Sequence, residues 1–249
     1  KGIIEAKKKN LNPKAIIPVD LFGTPSRYRK IMKIALENDL FVIEDFAQAF
    51  GSEIKNIKAG NFGNIGATSF FPSKPLGCYG DGGAVFTNDS NLADLMKSIR
   101  VHGSHGLDKY SNSRLGINGR LDTIQAAILL EKLSIFDSEL EMRKDVADYY
   151  NENLTSTLLR QYIPKGYFSS RAQYSLIARN NQSREELVAY MKKNKIPTMV
   201  YYKIPLHLQG VFKDLGYKEG DFPISERVSG QIFSLPMHPY LKKEDQDQI

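Results

Sequence analysis

The sequence predicts an α/β fold, with a large domain on a mostly parallel sheet over residues 1–155 and a smaller α+β domain over residues 156–249. Three observations predict it. Two apolar runs, Ala15–Asp20 and Leu40–Ile43, flank a segment with helical spacing, which makes a β-α-β unit with parallel strands. The second run leads into Glu44-Asp45, a carboxylate delivered at the strand end where open α/β sheets bind ligands. After a charge-rich stretch at 137–154, short strand and helix patterns alternate, as in a separate α+β unit.

The elements follow in order. Pro18 marks the first strand as an edge or a bulge. Leu21-Phe22-Gly23 is a turn, and Thr24-Pro25 reads as a helix N-cap followed by proline at the first helical position. The helix carries Tyr28, Ile31, Met32, Ala35 and Leu36 on one face and Arg27, Lys30, Lys33 and Glu37 on the other. Ser52 to Gly66 is polar and Gly-rich, a hairpin or loop, and Thr68 to Phe71 is the next strand. Gly80 to Gly83 is a tight turn into strand Ala84–Thr87. A dinucleotide-binding fingerprint is excluded there, because a strand follows where a helix should open.

A helix from about Asn91 to Val101 precedes a polar loop, Gly103 to Asn118, that includes His105, Tyr110 and Asn112. Two helices are expected next. Asp122 to Phe136 has apolar residues on more than one face and should be buried, in part at a subunit contact. Asp137 to Leu154 is charged and links the domains. The C-terminal part should contain strand Gln173–Arg179, a helix opened by a Ser183/Glu186 capping box, strand Met199–Tyr202, and a packed strand within Ser234–Leu241.

Composition bounds the function. At 249 residues, 41% hydrophobic and 25% charged, the chain can bury a full core. No apolar run approaches the ~20 residues of a membrane span, and no secretory pattern opens the chain. The single cysteine, Cys78, excludes an internal disulfide within these residues and fits a reducing, cytoplasmic setting. It reads as a packing residue rather than a nucleophile. The net charge of +6 includes the cluster Lys7-Lys8-Lys9, but no nucleic-acid signature interleaves with it. No metal site is expected.

The chemistry concentrates between Asp45 and Gly83. Lys74 sits between Pro72 and Pro75, which push Phe71 and Lys74 out of the α region and stiffen the base of the lysine side chain. A lysine held in this way and an acid closing a neighbouring strand are what a pyridoxal phosphate site requires. The amine holds the cofactor covalently, and the acid keeps a proton on the ring nitrogen. Taken singly, Asp45 could cap a helix and Lys74 could be a solvated loop residue.

The segments Ile43-Glu44-Asp45-Phe46-Ala47-Gln48-Ala49-Phe50-Gly51 and Ser69-Phe70-Phe71-Pro72-Ser73-Lys74-Pro75-Leu76-Gly77, continued by Cys78 to Ala84, resemble the DegT/StrS-type sugar aminotransferases. These are pyridoxal phosphate enzymes of fold type I. The wording from Ser69 to Ala84 resembles the branch that aminates C-3 of a UDP-linked 2-acetamido-3-keto-glucuronic acid. The resemblance implies catalytic roles for Lys74 and Asp45, and cofactor contacts from Asp45, Gln48, Ser69, Lys74 and Asn118, the last across a dimer interface. It implies substrate contacts from Arg120, Tyr201 and His207. It also implies a nucleotide-sugar acceptor, a glutamate donor, a homodimer with shared sites and a role in surface polysaccharide synthesis. Family members carry an upstream segment with a phosphate-binding turn and a ring-stacking aromatic, so the large domain is expected to be incomplete here.

Alternatives remain open at single positions. Arg120 could pair with Asp122, Asn118 could cap the next helix, and His207 could be a buried structural histidine. Tyr201 stands where the glucuronate branch commonly has His, so it offers a hydrogen bond without charge. Other readings are a relative acting at C-4 or on a TDP-sugar, and a non-enzymatic module that only folds or dimerises. The family's dehydratases carry histidine at the lysine position, and Lys74 argues against them.

Overall fold

The computed structural model describes residues 1–104 and 111–249. It forms two compact units: Lys1–Ser138 with Pro164–Ser170, and Glu139–Ile163 with Arg171–Ile249. The division falls inside a helix, between Ser138 and Glu139. The charge-rich stretch continues the preceding helix without a break, so composition changes before the backbone does.

The first unit opens with helix α1 (Gly2–Lys8), none of whose residues is buried. Strand β1 (Ala15–Ile16), helix α2 (Tyr28–Glu37) and strand β2 (Phe41–Asp45) make the expected β-α-β unit, with Ala15 opposite Phe41 in parallel register. Two local expectations are corrected. Helix α2 starts at Tyr28 and Thr24 does not cap it: the residues between form a loop tied to Asp20, whose Oδ1 accepts from the Ser26 amide at 2.8 Å. Leu36 is exposed, and the buried stripe is Tyr28 and Ala35, packed on Val42 with Ile31 and Met32.

Strands β3 (Glu53–Ile54) and β4 (Ile57–Lys58) form a hairpin whose turn residues, Lys55 and Asn56, both have positive φ. Strand β5 (Ile65–Ser69) pairs in parallel with β2, placing Ala67 opposite Asp45. Strand β6 (Gly83–Phe86) returns antiparallel, with Gly83 opposite Ser69. The sheet order is β1-β2-β5-β6. Helix α3 (Ser90–Arg100) is capped by Asp89, whose carboxylate accepts from the Asn91 and Leu92 amides. His105 and Tyr110 lie outside the described residues.

Helix α4 (Thr123–Asn153) is one continuous helix where two were expected, because nothing in the sequence at residues 136–138 breaks it. Its first half is only partly buried by this chain. Leu129 and Phe136 are covered, while Ile124, Leu130, Leu133 and Ile135 are exposed. Beyond α4, strand β7 (Leu159–Arg160) belongs to the second unit. Strand β8 (Tyr167–Phe168) belongs to the first, pairing with β3.

In the second unit, strand β9 (Tyr174–Ile177), helix α5 (Asn181–Lys193), helix α6 (Pro223–Gln231) and strand β10 (Ile232–Leu235) lead to helix α7 (Lys243–Asp247). β9 lies between β10 and β7, antiparallel to both. The core gathers Val146, Tyr150, Tyr174, Leu176, Met191, Phe233 and other apolar residues. No Ser183/Glu186 capping box forms: Asn180 caps α5 by accepting from the Ser183 amide, and Glu186 accepts from Gln182 instead. Met199–Tyr202 is not a strand either. Only Met199 bridges to Ser234, since the backbone leaves extended geometry at Tyr202, where φ is 55°.

Candidate active site

The carboxyl edge of the β1-β2-β5 sheet gathers the chemistry of the first unit. Asp45 is the last residue of β2, and Ser69 the last of its neighbour β5. Alternation along β2 buries Val42, Glu44 and Phe46 and leaves Asp45 half-buried. Its carboxylate accepts from the Ala47 amide through Oδ1 at 3.1 Å. Its main chain is clamped to the neighbouring strand: its N–H donates to Pro18 O, and its carbonyl accepts from the Asp20 amide, both at 2.9 Å. Among the described residues, no cation forms an ion pair with Asp45.

Lys74 lies in the loop between β5 and β6. That loop is closed at its base by the Phe70 amide on Gly82 O and the Cys78 amide on Phe70 O, each 2.8 Å. The Lys74 amide turns back to Phe71 O at 2.9 Å. Gly77 packs so closely that a Cβ there would meet Phe71 O and Pro72 O at 2.7 Å, so a larger residue would force the loop open. Cys78 is fully buried, its Sγ 3.0 Å from Phe70 O, in the packing role expected of it. The Lys74 amine is half-buried and, among the described residues, pairs with no carboxylate. Ser69 Oγ accepts from the Phe71 amide at 3.2 Å, which leaves its hydroxyl hydrogen to donate elsewhere.

Gln48 is buried, and its Oε1 accepts from the Phe22 amide at 2.6 Å. This bond holds Phe22 at a positive φ of 58°. The carbonyl of the next residue, Gly23, accepts from Ser52 Oγ at 2.7 Å and the Ser170 amide at 3.1 Å. Asn118 and Arg120 are exposed, and Arg120 Nε donates to Asn118 Oδ1 at 3.0 Å. Neither simple alternative forms: no Arg120–Asp122 ion pair occurs among the described residues, and Asn118 forms a bridge with Val101 rather than a helix cap.

Two residues that sequence reasoning missed brace the lysine loop. Gln125 Oε1 accepts from the Tyr79 amide at 2.8 Å. Lys132 Nζ donates to Gly77 O at 2.6 Å and lies over the Tyr79 ring, 4.8 Å from its centroid. They stand seven positions apart on α4, a spacing that puts them on one helix face, and that is the one signal the sequence holds. A hydrogen bond to a charged donor contributes about 1.5–3 kcal/mol. Lys132→Met is therefore expected to speed amide exchange at Lys74 and Cys78 by roughly 10–100-fold, with exchange in β2 unchanged. Peptide-resolved hydrogen–deuterium exchange checks this.

In the second unit, Tyr201 follows the Met199 bridge and its ring lies 6.3 Å from that of Tyr202. His207 is mostly buried, with Nε2 2.9 Å from Glu226 Oε1 and its ring tilted against Phe222. It lines an apolar cavity of about 300 Å³ with Leu206, Phe212, Leu215 and Tyr217. The Gly220 amide, with those of Phe222 and the His207 side chain, holds the Glu226 carboxyl below its ordinary range. A groove of about 850 Å³ runs along β6 and α3 in the first unit, and neither Lys74 nor Asp45 lines it.

An amine that pairs with no carboxylate among the described residues, an acid and a hydroxyl at one sheet edge are the donor set that pyridoxal phosphate requires, and the residues present fit that group.

Residues 3–249 match the model of the DegT/DnrJ/EryC1/StrS aminotransferase family. The chain is 44% identical over 229 residues to UDP-2-acetamido-2-deoxy-3-oxo-D-glucuronate aminotransferase of Pseudomonas aeruginosa, covering 92% of this chain and 62% of that one. It is also 44% identical over 240 residues to the pleiotropic regulatory protein of Geobacillus stearothermophilus, covering 95% and 63%. The crystal structure of a DegT DnrJ EryC1 StrS aminotransferase from Brucella abortus superposes with a TM-score of 0.93 at 49% identity, covering 99% of this chain and 65% of that one. The chain thus spans somewhat under two thirds of the length of these relatives.

Proposed function

Because this chain belongs to the DegT/DnrJ/EryC1/StrS aminotransferase family, we propose that the protein transfers an amino group to a keto-sugar nucleotide, at C-3 of a UDP-2-acetamido-2-deoxy-hexuluronate. The observation that carries this reading is the Pro-braced Lys74 at the same sheet edge as Asp45.

When bound, pyridoxal phosphate supplies an electron sink for the charge that develops at the carbon losing or gaining the amine. The chain's own residues do the rest. The Lys74 amine would hold the cofactor and would serve as the general base and acid that moves the proton at the reacting carbon. Asp45 would hold a proton on the ring nitrogen through its carboxylate, and its main chain is clamped by the Pro18 and Asp20 bonds. The Ser69 hydroxyl donates to the cofactor phosphate, and Gln48 forms part of the wall against the ring.

Glutamate is the donor in this proposal, surface polysaccharide the destination, and the cytoplasm the location. The protein works as a homodimer with shared sites, Asn118 reaching the partner's cofactor phosphate. The exposed Ile124, Leu130, Leu133 and Ile135 on α4 support a covered face there. No helix among the described residues is long and apolar enough to cross a membrane.

Arg120 meets the sugar carboxylate with its guanidinium fork. Arg120→Gln is expected to raise KM for the uronate substrate by roughly 10–100-fold, the loss of a charge-assisted bond of about 1.5–3 kcal/mol. The matching sugar without a carboxylate should be unaffected. Steady-state kinetics on both sugars at one enzyme concentration tests the proposal. A wild-type preference for the neutral sugar would shift the assignment to C-4 or TDP-linked ketoses, a second reading favoured by the uncharged Tyr201. Tyr201 and His207 are proposed as substrate contacts, His207 through the ring edge left by its Glu226 bond.

A further inference from the structure

Two fully buried carboxyl groups stand beside the site and take no part in the chemistry above. Asp20 and Glu44 both have no exposed surface. Each Glu44 oxygen accepts one amide, Oε1 that of Gly60 at 2.6 Å and Oε2 that of Phe62 at 3.0 Å, which leaves lone pairs for a further donor. Gly60 is needed for this, since its φ is 95° and a Cβ would lie 2.7 Å from the Phe46 ring. Asp20 is asymmetric. Its Oδ1 accepts twice, from the Ser26 amide and the Tyr28 hydroxyl, each at 2.8 Å. Its Oδ2 is buried and, among the described residues, meets no donor. Val19 pairs with Asp45 in parallel register, so the side chains of Asp20 and Glu44, each next to that pair in the chain, lie on the same face of the strand pair and are buried together. Two ionised carboxylates in that position would leave one oxygen unsolvated against another negative charge, an arrangement that proteins avoid.

We infer that Asp20 and Glu44 form one proton-sharing acid pair, with the proton on Asp20 Oδ2 donated to Glu44, and that this pair positions the carboxyl end of β2 where Asp45 is presented. The connection is short. Glu44 precedes Asp45 in the chain, and the Asp20 amide donates to the Asp45 carbonyl. Glu44 thus anchors β2 to the 60–62 turn, Asp20 anchors β1 to β2, and the shared proton joins the two anchors across the strand pair. The positioning role rests on the reading of Asp45 above, and the proton assignment does not.

The direction of titration agrees. Burial pushes the Asp20 carboxyl up to about 7, and the Glu44 charge adds to this against the Ser26 and Tyr28 bonds. Burial also raises Glu44, opposed by its amide donors and by Asp20. The Tyr28 hydroxyl is the other ionisable group bonded to the pair, and burial with the Asp20 charge pushes it upward. Between about pH 4 and pH 7, folded Asp20 holds a proton that the unfolded chain has released. Stability therefore falls as pH rises through that window and levels off above it.

The test compares three variants of the intact natural protein. Asp20→Asn keeps the geometry, because its amide can donate to Glu44 while its oxygen accepts from Ser26 and Tyr28. It is expected to unfold within about 3 °C of wild type at pH 6 and to lack the decline between pH 4 and 7. Asp20→Ala leaves the Ser26 amide and the Tyr28 hydroxyl without their acceptor, and Glu44→Gln turns an NH2 group against one of the two amide donors; each is expected to lower the melting temperature by at least about 5 °C. Infrared difference spectra of wild type at pH 6 should show a buried protonated-carboxyl band that is absent in Asp20→Asn, a readout available even where another variant folds poorly. For the positioning role, the pH at which the visible band of the lysine-held cofactor shifts should move in Asp20→Ala and be restored in Asp20→Asn. If Asp20→Asn melts as low as Asp20→Ala while Glu44→Gln is tolerated, or the carboxyl band persists in Asp20→Asn, the proton assignment is wrong. If the visible band does not respond to Asp20→Ala, the positioning role is wrong. Absence of any visible band in wild type counts against the cofactor reading alone, since unfolding and infrared spectra do not depend on it.

Discussion

Lys74→Ala is expected to abolish covalent retention of pyridoxal phosphate and to lower turnover by roughly 10⁴-fold or more. Two functions leave together: the covalent hold on the cofactor, and a positioned general acid–base group worth about 10²–10⁴-fold on its own. The loop should survive the change. Its closure uses the main chain of Phe70, Phe71, Lys74, Cys78 and Gly82, and the Lys132 brace reaches Gly77 O, so the lysine side chain carries none of it. Lys74→Arg separates charge from reactivity. It keeps a cation in the loop, but a guanidinium stays protonated at any working pH and cannot serve as nucleophile or base, so it should be as inactive as alanine. The measurement is borohydride reduction after cofactor addition, followed by peptide mass spectrometry. Wild type should carry the adduct on the peptide containing Lys74, and neither variant should. An adduct on another lysine, or a colourless wild-type protein, would remove the basis of the aminotransferase reading and leave the non-enzymatic module in its place.

Asp45→Asn should follow with a loss of roughly 10²–10³-fold in kcat, the range seen when one preorganised electrostatic partner of a developing charge is removed. Asparagine is close in size and can still accept from the Ala47 amide, so the change is one of charge rather than shape. Stability should move little, because Asp45 is half-buried and, among the described residues, sits in no ion pair. The cofactor should still attach to Lys74, which distinguishes this variant from the first. Single-turnover rates with the amino donor, read beside borohydride capture, check both halves. A variant that captures cofactor normally and turns over at the wild-type rate would exclude Asp45 as the ring-nitrogen acid.

Legibility differed between neighbouring residues for identifiable reasons. The β-α-β unit could be read because its strands are short apolar runs and its helix shows a 3.6-residue stripe, both local signals. The start of α2 could not, because Thr24-Pro25 carries good cap chemistry but the Ser26 amide is claimed by Asp20, so the chain enters the helix later. The capping box at Ser183 failed for a similar reason. Asn180, three residues earlier, satisfies the Ser183 amide first. The break expected at Asp137 was a change of composition, and composition does not end a helix that has no glycine, proline or competing cap.

The sequence alone determined the identity and spacing of the reactive groups: an acid closing one strand, an amine braced by two prolines, and glycines around it that permit a tight return. These are properties of neighbouring residues, and backbone sterics and side-chain chemistry act on them before any fold exists. Only the tertiary structure decided which distant polar groups meet. It brought Gln125 and Lys132, 46 and 55 residues from their partners, onto the lysine loop, and it buried Asp20 and Glu44 on one face of two paired segments. Such pairings follow from packing, where a buried polar group must find whatever partner the fold carries to it, and no periodicity in the chain records that meeting.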